Sequence, residues 1–376
     1  MTTQQSESQP ENNISHYLRS RIEIGDFPSA VYIVAENGRA VFADAIGDAV
    51  RTPEIQAATL NTIYDLASLT KPLVTGLLCA QLMESGGLAL DSSVADCLPE
   101  FNRPDKYAIT IRELLTHTSG LPAWRPLYLL SDSPDGALAA IAHEPLESRP
   151  GERVIYSDLG FIVLGFLLQR LTGTSLGDLA RQRIFAPLGL QRTFFAPSQA
   201  MQTGIAACET GNAYERDMCE RDFPARPYSK WRSEIWGEVH DGNAHFLGGV
   251  AGHAGLFANA EDTLRLANQF IADQSTLLSK ATCDLFRQNM TEGLNEARSF
   301  AWQLAVTKDS TAGSSLPPDS FGHTGFTGTS CWIDAEHQRV FILLTNRTHN
   351  RPLPFANINA VRREFHTLAV AALNHR

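Results

Sequence analysis

AVYIVAENGRAVFADAIG, residues 30–47, decides the fold class. Two apolar runs flank Asn37-Gly38. Asn-Gly suits a two-residue turn that needs positive φ, so the stretch reads as a β-hairpin. Toward the N-terminus, Ile14, Leu18, Ile22 and Ile24 recur near helical spacing within residues 12–24. Strand patterns return at the far end of the chain. FAWQLAV (300–306) reads as a strand, and FGHTGFTGTSCWID (321–334) as one glycine-bearing strand. RVFILLTNR (339–347) reads as a buried strand, reached through a turn near Glu336-His337. FANINAVRREFHTLAVAAL (355–373) closes the chain as an amphipathic helix.

Strands and helices do not alternate along the chain, which argues against a doubly wound sheet. The expectation is an α+β fold: one antiparallel sheet built from both chain ends and flanked by the N- and C-terminal helices. A mostly helical second region is inserted, with the active site between the two. The boundaries expected are a disordered tail over 1–11, a discontinuous sheet domain over 12–66 and 296–376, and a mainly helical domain over 67–295.

The chain has 376 residues, 43% of them apolar, enough for a large core. No low-complexity run or fixed-period repeat interrupts it. A formal net charge of −10 without a basic stripe argues against nucleic acid or an acidic membrane surface as partner. Six scattered cysteines with no C-x-x-C read as buried thiols rather than disulfides. The N-terminal MTTQQSESQPENN has neither a basic n-region nor an apolar h-region, and no run approaches 18 apolar residues. The expectation is a reduced, cytoplasmic enzyme that does not touch membrane.

In the middle, a helix is expected from Thr70, with Pro72 in its first turn and a stop at Gly86-Gly87. Short helices follow within 109–121 and over 135–142, and a long apolar one from about Leu159 to Leu171. Residues 198–245 are polar and read as irregular; loops of that length are functional or mobile. The glycines of LGGVAGHAGLF (247–257) suggest close backbone approach, and Asn259 caps a helix after them.

Three short motifs carry chemistry. In Ser68-Leu69-Thr70-Lys71, positions i and i+3 of a helix put an amine within reach of an alcohol. If buried, Lys71 would tend to lose its proton and could then take that of the serine, or hold a neighbouring base in register. S-x-x-K also turns up about once by chance in such a chain, and the bland alternative is a solvated lysine in a first turn. Tyr156-Ser157-Asp158 stands before the long apolar helix, where Ser157 or Asp158 is a natural N-cap. Functionally, the Tyr156 phenol near a cationic Lys71 would have its pKa lowered and become a usable proton acceptor. His323-Thr324-Gly325 lies on a strand, where glycine lets a substrate backbone approach; the alternative is a bulge with a half-exposed histidine.

S-x-x-K, then Y-S-D 88 residues later, then H-T-G 167 residues further on, resembles the serine beta-lactamase and penicillin-binding-protein superfamily. The closer likeness is to its class C beta-lactamase-like branch, which includes DD-peptidases and esterases and has tyrosine in the second motif. TIRELLTHTSGLP, RPGERVIYSDLGF and GGVAGHAGLFANAEDTLRLA carry the likeness outside the motifs, over about residues 14–350. The resemblance implies Ser68 as acylated nucleophile, Lys71 as its activating partner and Tyr156 as base, then acid. It implies an oxyanion hole from the N–H groups of Ser68 and Phe326, and a cleft edge of His323, Thr324 and Gly325. No cofactor or metal is implied.

Two departures bear on substrate. His323 stands where the third motif often has lysine, which weakens carboxylate binding there and beta-lactamase activity with it. Asp158 stands where many relatives have asparagine; it would pair with Lys71, keeping it charged and leaving the base role to Tyr156, or favour a substrate amine. EVHDGNAHFLGGVAGHAGLF holds His240, Asp241, His245 and His253. It reads as a structural loop, a cleft wall with His240 as substrate contact, or a metal site, though it lacks an H-E-x-x-H spacing. Its V-H-D and G-G-V-A-G-H-A-G-L-F segments look like those of muropeptide-recycling N-acetylmuramyl-L-alanine amidases. Arg347, His349 and Arg351 follow the last strand; at the cleft mouth such arginines suit a carboxylate. Trp231 and Trp236 stack on a sugar or anchor their segment. The expected partner is a small amide or ester, with a peptidoglycan-derived peptide or muropeptide ranked first. The alternatives are a broad carboxylesterase and a beta-lactam-binding sensor that acylates without turnover.

Overall fold

Asn37 and Gly38 take φ of 51° and 76° and join β1 (Ser29–Glu36) to β2 (Arg39–Val50), the turn that Asn-Gly favours. The structure is a computed structural model and describes residues 10–376. The tail expected over 1–11 lies outside the described residues except for its last two, which begin the helix Pro10–Ile24.

The remaining strands are β3 (Gln56–Ala57), β4 (Tyr64–Asp65), β5 (Thr193–Phe195), β6 (Leu256–Ala258), β7 (Gln303–Leu304), β8 (Phe321–Thr324), β9 (Ser330–Asp334) and β10 (Arg339–Thr345). Seven form one sheet in the order β3-β2-β1-β10-β9-β8-β7. Every pairing in it is antiparallel, and β1 and β10 from opposite ends of the chain lie side by side, Ala30 opposite Thr345. β1 is buried almost throughout because both its faces are covered. Its alternation assigns Tyr32 and Val34 to one core and Val31 and Ile33 to the other. The first core is shared with Ile14 and Leu18 of the N-terminal helix and Val361 and Phe365 of the helix Asn359–Asn374. The second continues into the helical region through Leu264, Leu73 and Phe161. The fold is therefore the α+β arrangement expected, with an antiparallel sheet and terminal helices on one face.

Three local expectations change. Residues 321–334 are not one strand but two, β8 and β9, paired with Thr324 opposite Ser330. Gly325 N–H donates to the Thr329 carbonyl at 2.8 Å and turns the chain between them. The strand expected over 300–306 shrinks to Gln303–Leu304, because Ala301 sits at φ 66°. The stretch read as irregular contains a helix, Ala213–Asp222, whose sequence AYERDMCERD carries no apolar stripe to announce it. A second small sheet, β4-β6-β5, was not anticipated.

The long helix runs Asp158–Thr172, with Ser157 Oγ accepting from Gly160 N–H at 3.2 Å as its N-cap. Asn259 likewise caps Ala260–Ala267, and Thr110 and Glu113 form a capping box on Ile111–Leu115. A Cβ on Gly252 would collide with the Phe161 carbonyl, so the glycine run does allow a backbone to pass closely over this helix. All six cysteines are free thiols, five of them buried. No single helix among the described residues is long and apolar enough to cross a membrane.

Candidate active site

Ser68 lies in a 3₁₀ turn, Ala67–Leu69, that leads into a π-helical stretch, Lys71–Gly76, and then the α-helix Leu77–Glu84. The entry is tight: Ala67 holds φ 48°, a left-handed conformation costly for a residue with a Cβ. The buried Asp65 carboxylate secures it, accepting from Ala67 N–H at 2.8 Å and from His240 N–H at 2.7 Å. Thr70 Oγ1 closes the turn by donating to the Ala67 carbonyl at 2.7 Å. In 3₁₀ geometry side chains three apart eclipse. Lys71 Nζ accordingly donates to Ser68 Oγ at 2.9 Å.

Lys71 is fully buried, yet it does not lose its proton as sequence reasoning anticipated for a buried lysine. Burial pushes its pKa down, but the Asp158 carboxylate and the Tyr156 hydroxyl outweigh that and hold it above the ordinary lysine value. Asp158 Oδ1 lies 2.7 Å from Nζ, and the His253 carbonyl accepts from Nζ at 3.2 Å. Of the two roles open to Asp158, the structure therefore favours pairing with Lys71.

The Tyr156 hydroxyl lies beside Lys71 and Ser68, each of which favours its ionised form, and Nζ lies 4.9 Å from its ring centroid. The expected lowering of its pKa is overturned. Burial raises it, Lys71 lowers it, Asp158 raises it again, and the balance leaves the phenol above its ordinary value. His117, a residue that sequence reasoning did not single out, sets the ring's position. Its ring packs on Tyr156 at 4.5 Å, its Nδ1 accepts from Ser157 N–H at 3.0 Å, and its carbonyl accepts from Ile155 N–H at 2.8 Å. From the other side the Arg298 guanidinium lies 5.5 Å from the Tyr156 ring, paired with Glu296.

β8 brings His323, Thr324 and Gly325 to the cleft edge. Thr327 Oγ1 donates to the Asp65 carbonyl at 2.8 Å and Thr329 Oγ1 to the Leu66 carbonyl at 2.9 Å. These two bonds pin the β8–β9 connection against the turn that carries Ser68. The Ser68 and Phe326 N–H groups have no intramolecular acceptor among the described residues. His323 Nδ1 lies 2.8 Å from the Thr324 carbonyl, so this nitrogen carries the proton. Its Nε2 is then a buried acceptor without a partner. Burial, followed by the nearby Lys71 and Arg298 charges, drives its pKa well below the usual histidine value. His323 is neutral where a lysine would be a cation.

The cleft measures about 720 Å³ and runs from Ser68 and Tyr156 past Tyr214, Phe355 and Arg347 to Arg362. A narrower arm of about 180 Å³ extends behind Ser68, between Trp124, Met218, Glu215 and His240. His240 lines this arm but is largely buried, 2.8 Å from Glu209 and stacked on Phe326. Burial raises the Glu215 carboxyl to about 7. The loop histidines do not converge on one centre: His240 goes to Glu209, His245 to Glu238 and His253 to Asp241. Asp158, Asp241 and His253 do place ligand-type atoms within 4.8 Å of one another. The Lys71 ammonium already occupies Asp158.

Arg347 reaches the cleft, but His349 and Arg351 do not line it. Both His349 ring nitrogens are used internally, by the Cys208 carbonyl and Arg51 N–H. Trp236 anchors its segment by donating to the Ile205 carbonyl, and Trp231 packs on Tyr228. Tyr214, Arg298 and Arg362 are cleft residues that no motif marked, since each arrives from a segment distant in sequence.

Known proteins resemble the chain in sequence and in fold. A protein of Escherichia coli (strain K12) named "Putative D-alanyl-D-alanine carboxypeptidase" is 31% identical over 366 residues, covering 90% of this chain and 82% of its own. Among solved structures, a penicillin-binding protein homolog from Caulobacter crescentus superposes with a TM-score of 0.74 at 21% identity, covering 97% of this chain and 98% of that one. EstCE1, a hydrolase with promiscuous acyltransferase activity, gives 0.73 at 21% identity with the same coverage. The family model described as Beta-lactamase matches residues 14–363, and the chain belongs to that family, within the serine beta-lactamase and penicillin-binding-protein superfamily.

Proposed function

We propose that the protein is a serine acyl hydrolase that forms an acyl-Ser68 intermediate with an amide of a peptidoglycan-derived peptide. The observation that carries this is the 2.9 Å contact of Ser68 Oγ with an ammonium that Asp158 keeps charged. That ammonium donates to a serine lone pair, so the serine O–H is free to point at the Tyr156 oxygen. In the acylation step Ser68 Oγ attacks the carbonyl carbon and passes its proton to Tyr156. Tyr156 gives its own proton to the leaving nitrogen, the C–N bond breaks, and the amine departs neutral. A phenol that starts protonated serves both ends of this relay, and Lys71 stabilises the phenolate character that develops between them. The Ser68 and Phe326 N–H groups receive the carbonyl oxygen. Water then repeats the sequence in reverse, and its proton returns to Ser68.

Two features support a peptide substrate. Arg347 lines the cleft with no acid partner among the described residues, which suits a terminal carboxylate. The Escherichia coli relative bears a carboxypeptidase name. A carboxylesterase is the second reading, favoured by the neutral His323. Product analysis with a D-alanyl-D-alanine muropeptide, a p-nitrophenyl ester and a chromogenic cephalosporin separates them. Cleavage of an amide in the muropeptide, either the terminal D-alanine or the lactyl–alanine bond, is the expected result. Ester turnover alone would favour the esterase, and a persistent adduct without product the sensor.

Two further outcomes follow. A Cβ at position 325 would collide with Thr329 Oγ1 and the Leu66 carbonyl, so Gly325→Ala displaces the Phe326 N–H. Its kcat/KM is expected to fall by ~10²-fold, the scale of a lost oxyanion donor, with far-UV circular dichroism unchanged. A wild-type rate would remove Phe326 from the site. Second, His323 sits well below 6.5, and Lys71 and Tyr156 lie above their ordinary values of 10.5 and 10.0. None of the three titrates near neutrality, so kcat/KM should be level from about pH 5.5 to 8 as far as these groups are concerned. A fall as pH rises through ~6.5 that persists in Glu215→Gln, which removes the carboxyl that burial raises to about 7, would instead mark His323 as an essential cation.

A further inference from the structure

Arg362 stands in the first turn of the helix Asn359–Asn374 and, at the far end of the cleft, reaches the carbonyls of the β8–β9 connection. Its Nη2 donates to the Gly325 carbonyl at 3.1 Å and the Thr329 carbonyl at 3.0 Å, and its Nη1 to Asn359 Oδ1 at 3.0 Å. It is 5% exposed. It makes no ion pair among the described residues, and its Nε is buried without a partner. A neutral donor would tie this helix to the β8–β9 connection at a lower desolvation cost. A buried charge without a counter-ion is costly, and a cation in the first turn opposes the helix dipole.

The Gly325 carbonyl and the Phe326 N–H belong to one peptide group. A charged donor on the carbonyl withdraws electron density through the amide and strengthens the N–H as a donor. Arg347 repeats the arrangement one peptide later: its Nε donates to the Phe326 carbonyl at 2.7 Å, its guanidinium lies 4.9 Å from the Phe326 ring, and it too has no acid partner. A protein carboxylate fixed on Arg362 would cancel the field that it sends through the Gly325–Phe326 peptide.

We propose that Arg362 is a positioning residue that polarises the Gly325–Phe326 peptide from behind, so that the Phe326 N–H binds the oxyanion of the reacting acyl group more strongly. The proposal rests on the acyl-Ser68 reading above. It predicts that charge, and not only the hydrogen bonds to the two carbonyls, governs the rate.

The test is isotope-edited infrared spectroscopy of a slowly hydrolysed cinnamoyl adduct on Ser68, with its deacylation rate, in wild type, Arg362→Met, Arg362→Lys and Asn359→Asp. Arg362→Met should shift the acyl carbonyl band to higher wavenumber and slow deacylation about tenfold, less than the ~10²–10³-fold of an outright donor loss. Arg362→Lys, which keeps the charge, should return most of both. Asn359→Asp keeps the shape and the hydrogen bond but adds a counter-charge at a half-buried position 3.0 Å from Nη1. It should move the band and the rate in the same direction as Arg362→Met, by a smaller amount. An acidic residue in a first helical turn does not burden folding, so Asn359→Asp decides the matter even if Arg362→Met does not fold. Unchanged bands in Asn359→Asp, or Arg362→Lys displaced as far as Arg362→Met, would overturn the proposal while the acyl-enzyme stands. Absence of any Ser68 adduct in wild type would overturn both.

Discussion

Ser68→Ala is expected to remove catalysed turnover, by ~10⁴–10⁶-fold in kcat, while leaving the fold intact. The size follows from the mechanism: without Oγ no covalent intermediate forms, and the remaining groups can only bind substrate and polarise it. The small structural effect follows from the surroundings. Ser68 is half-buried, and its hydroxyl meets Lys71 and Tyr156, of which Lys71 keeps Asp158 and the His253 carbonyl. One exchanged hydrogen bond changes stability by about 1 kcal/mol. Thermal unfolding should therefore resemble wild type, and a fluorophosphonate probe should no longer label the protein. Retained turnover that is lost in a chelator would point to a metal held by Asp158, Asp241 and His253 instead.

Lys71→Met has the next largest effect, and it strikes both activity and stability. The ammonium orients the serine proton and stabilises the developing phenolate, so its loss should lower kcat by ~10³–10⁴-fold. It also leaves the Asp158 carboxylate without its 2.7 Å partner, in a site where the lysine is fully buried and Asp158 is 18% exposed. Breaking such a pair costs ~3–5 kcal/mol, and the partial exposure of Asp158 puts the expectation at about 3 kcal/mol. Lys71→Met/Asp158→Asn removes the stranded charge and should recover most of that stability without recovering activity. The non-additivity, read by denaturant unfolding, separates the pair's structural part from its chemical part. The sign with pH is set by the raised lysine pKa. The stabilisation is complete below the ordinary value of 10.5 and is lost only as pH climbs through the higher folded value. A variant within tenfold of wild-type kcat would show that Lys71 is only a structural ion.

The features legible in the sequence were those whose cause is local. Asn37-Gly38 prescribes a hairpin, Ser157 and Asn259 announce helix starts, and i, i+3 spacing brings Lys71 to Ser68. The meeting of Tyr156 with that pair was legible only through the order of three motifs, because 88 residues separate the side chains and no local rule spans that distance. The β8–β9 turn was missed because Gly325 and Gly328 read as strand glycines that admit a substrate backbone, whereas they turn the chain between the two strands.

Charge states were the least legible. Burial alone argues that Lys71 should be neutral, and a lysine alone argues that Tyr156 should be acidic. The first fails because Asp158 and Tyr156 outweigh the burial of Lys71, and the second because burial of the phenol, with Asp158 adding to it, outweighs the Lys71 charge. His117, Arg298, Tyr214 and Arg362 carried no signal in isolation, since a buried histidine or a helical arginine looks the same wherever it docks. Their relevance comes from the segments they face: His117 under the Tyr156 ring, Arg362 behind the Gly325 carbonyl.

The most direct measurement is intact-mass and peptide mapping of the wild-type protein quenched during turnover of a p-nitrophenyl ester. An acyl adduct confined to the peptide bearing Ser68, forming and decaying at the rate of turnover, is the predicted result. Turnover with no adduct at Ser68, or an adduct on another residue, would contradict the account.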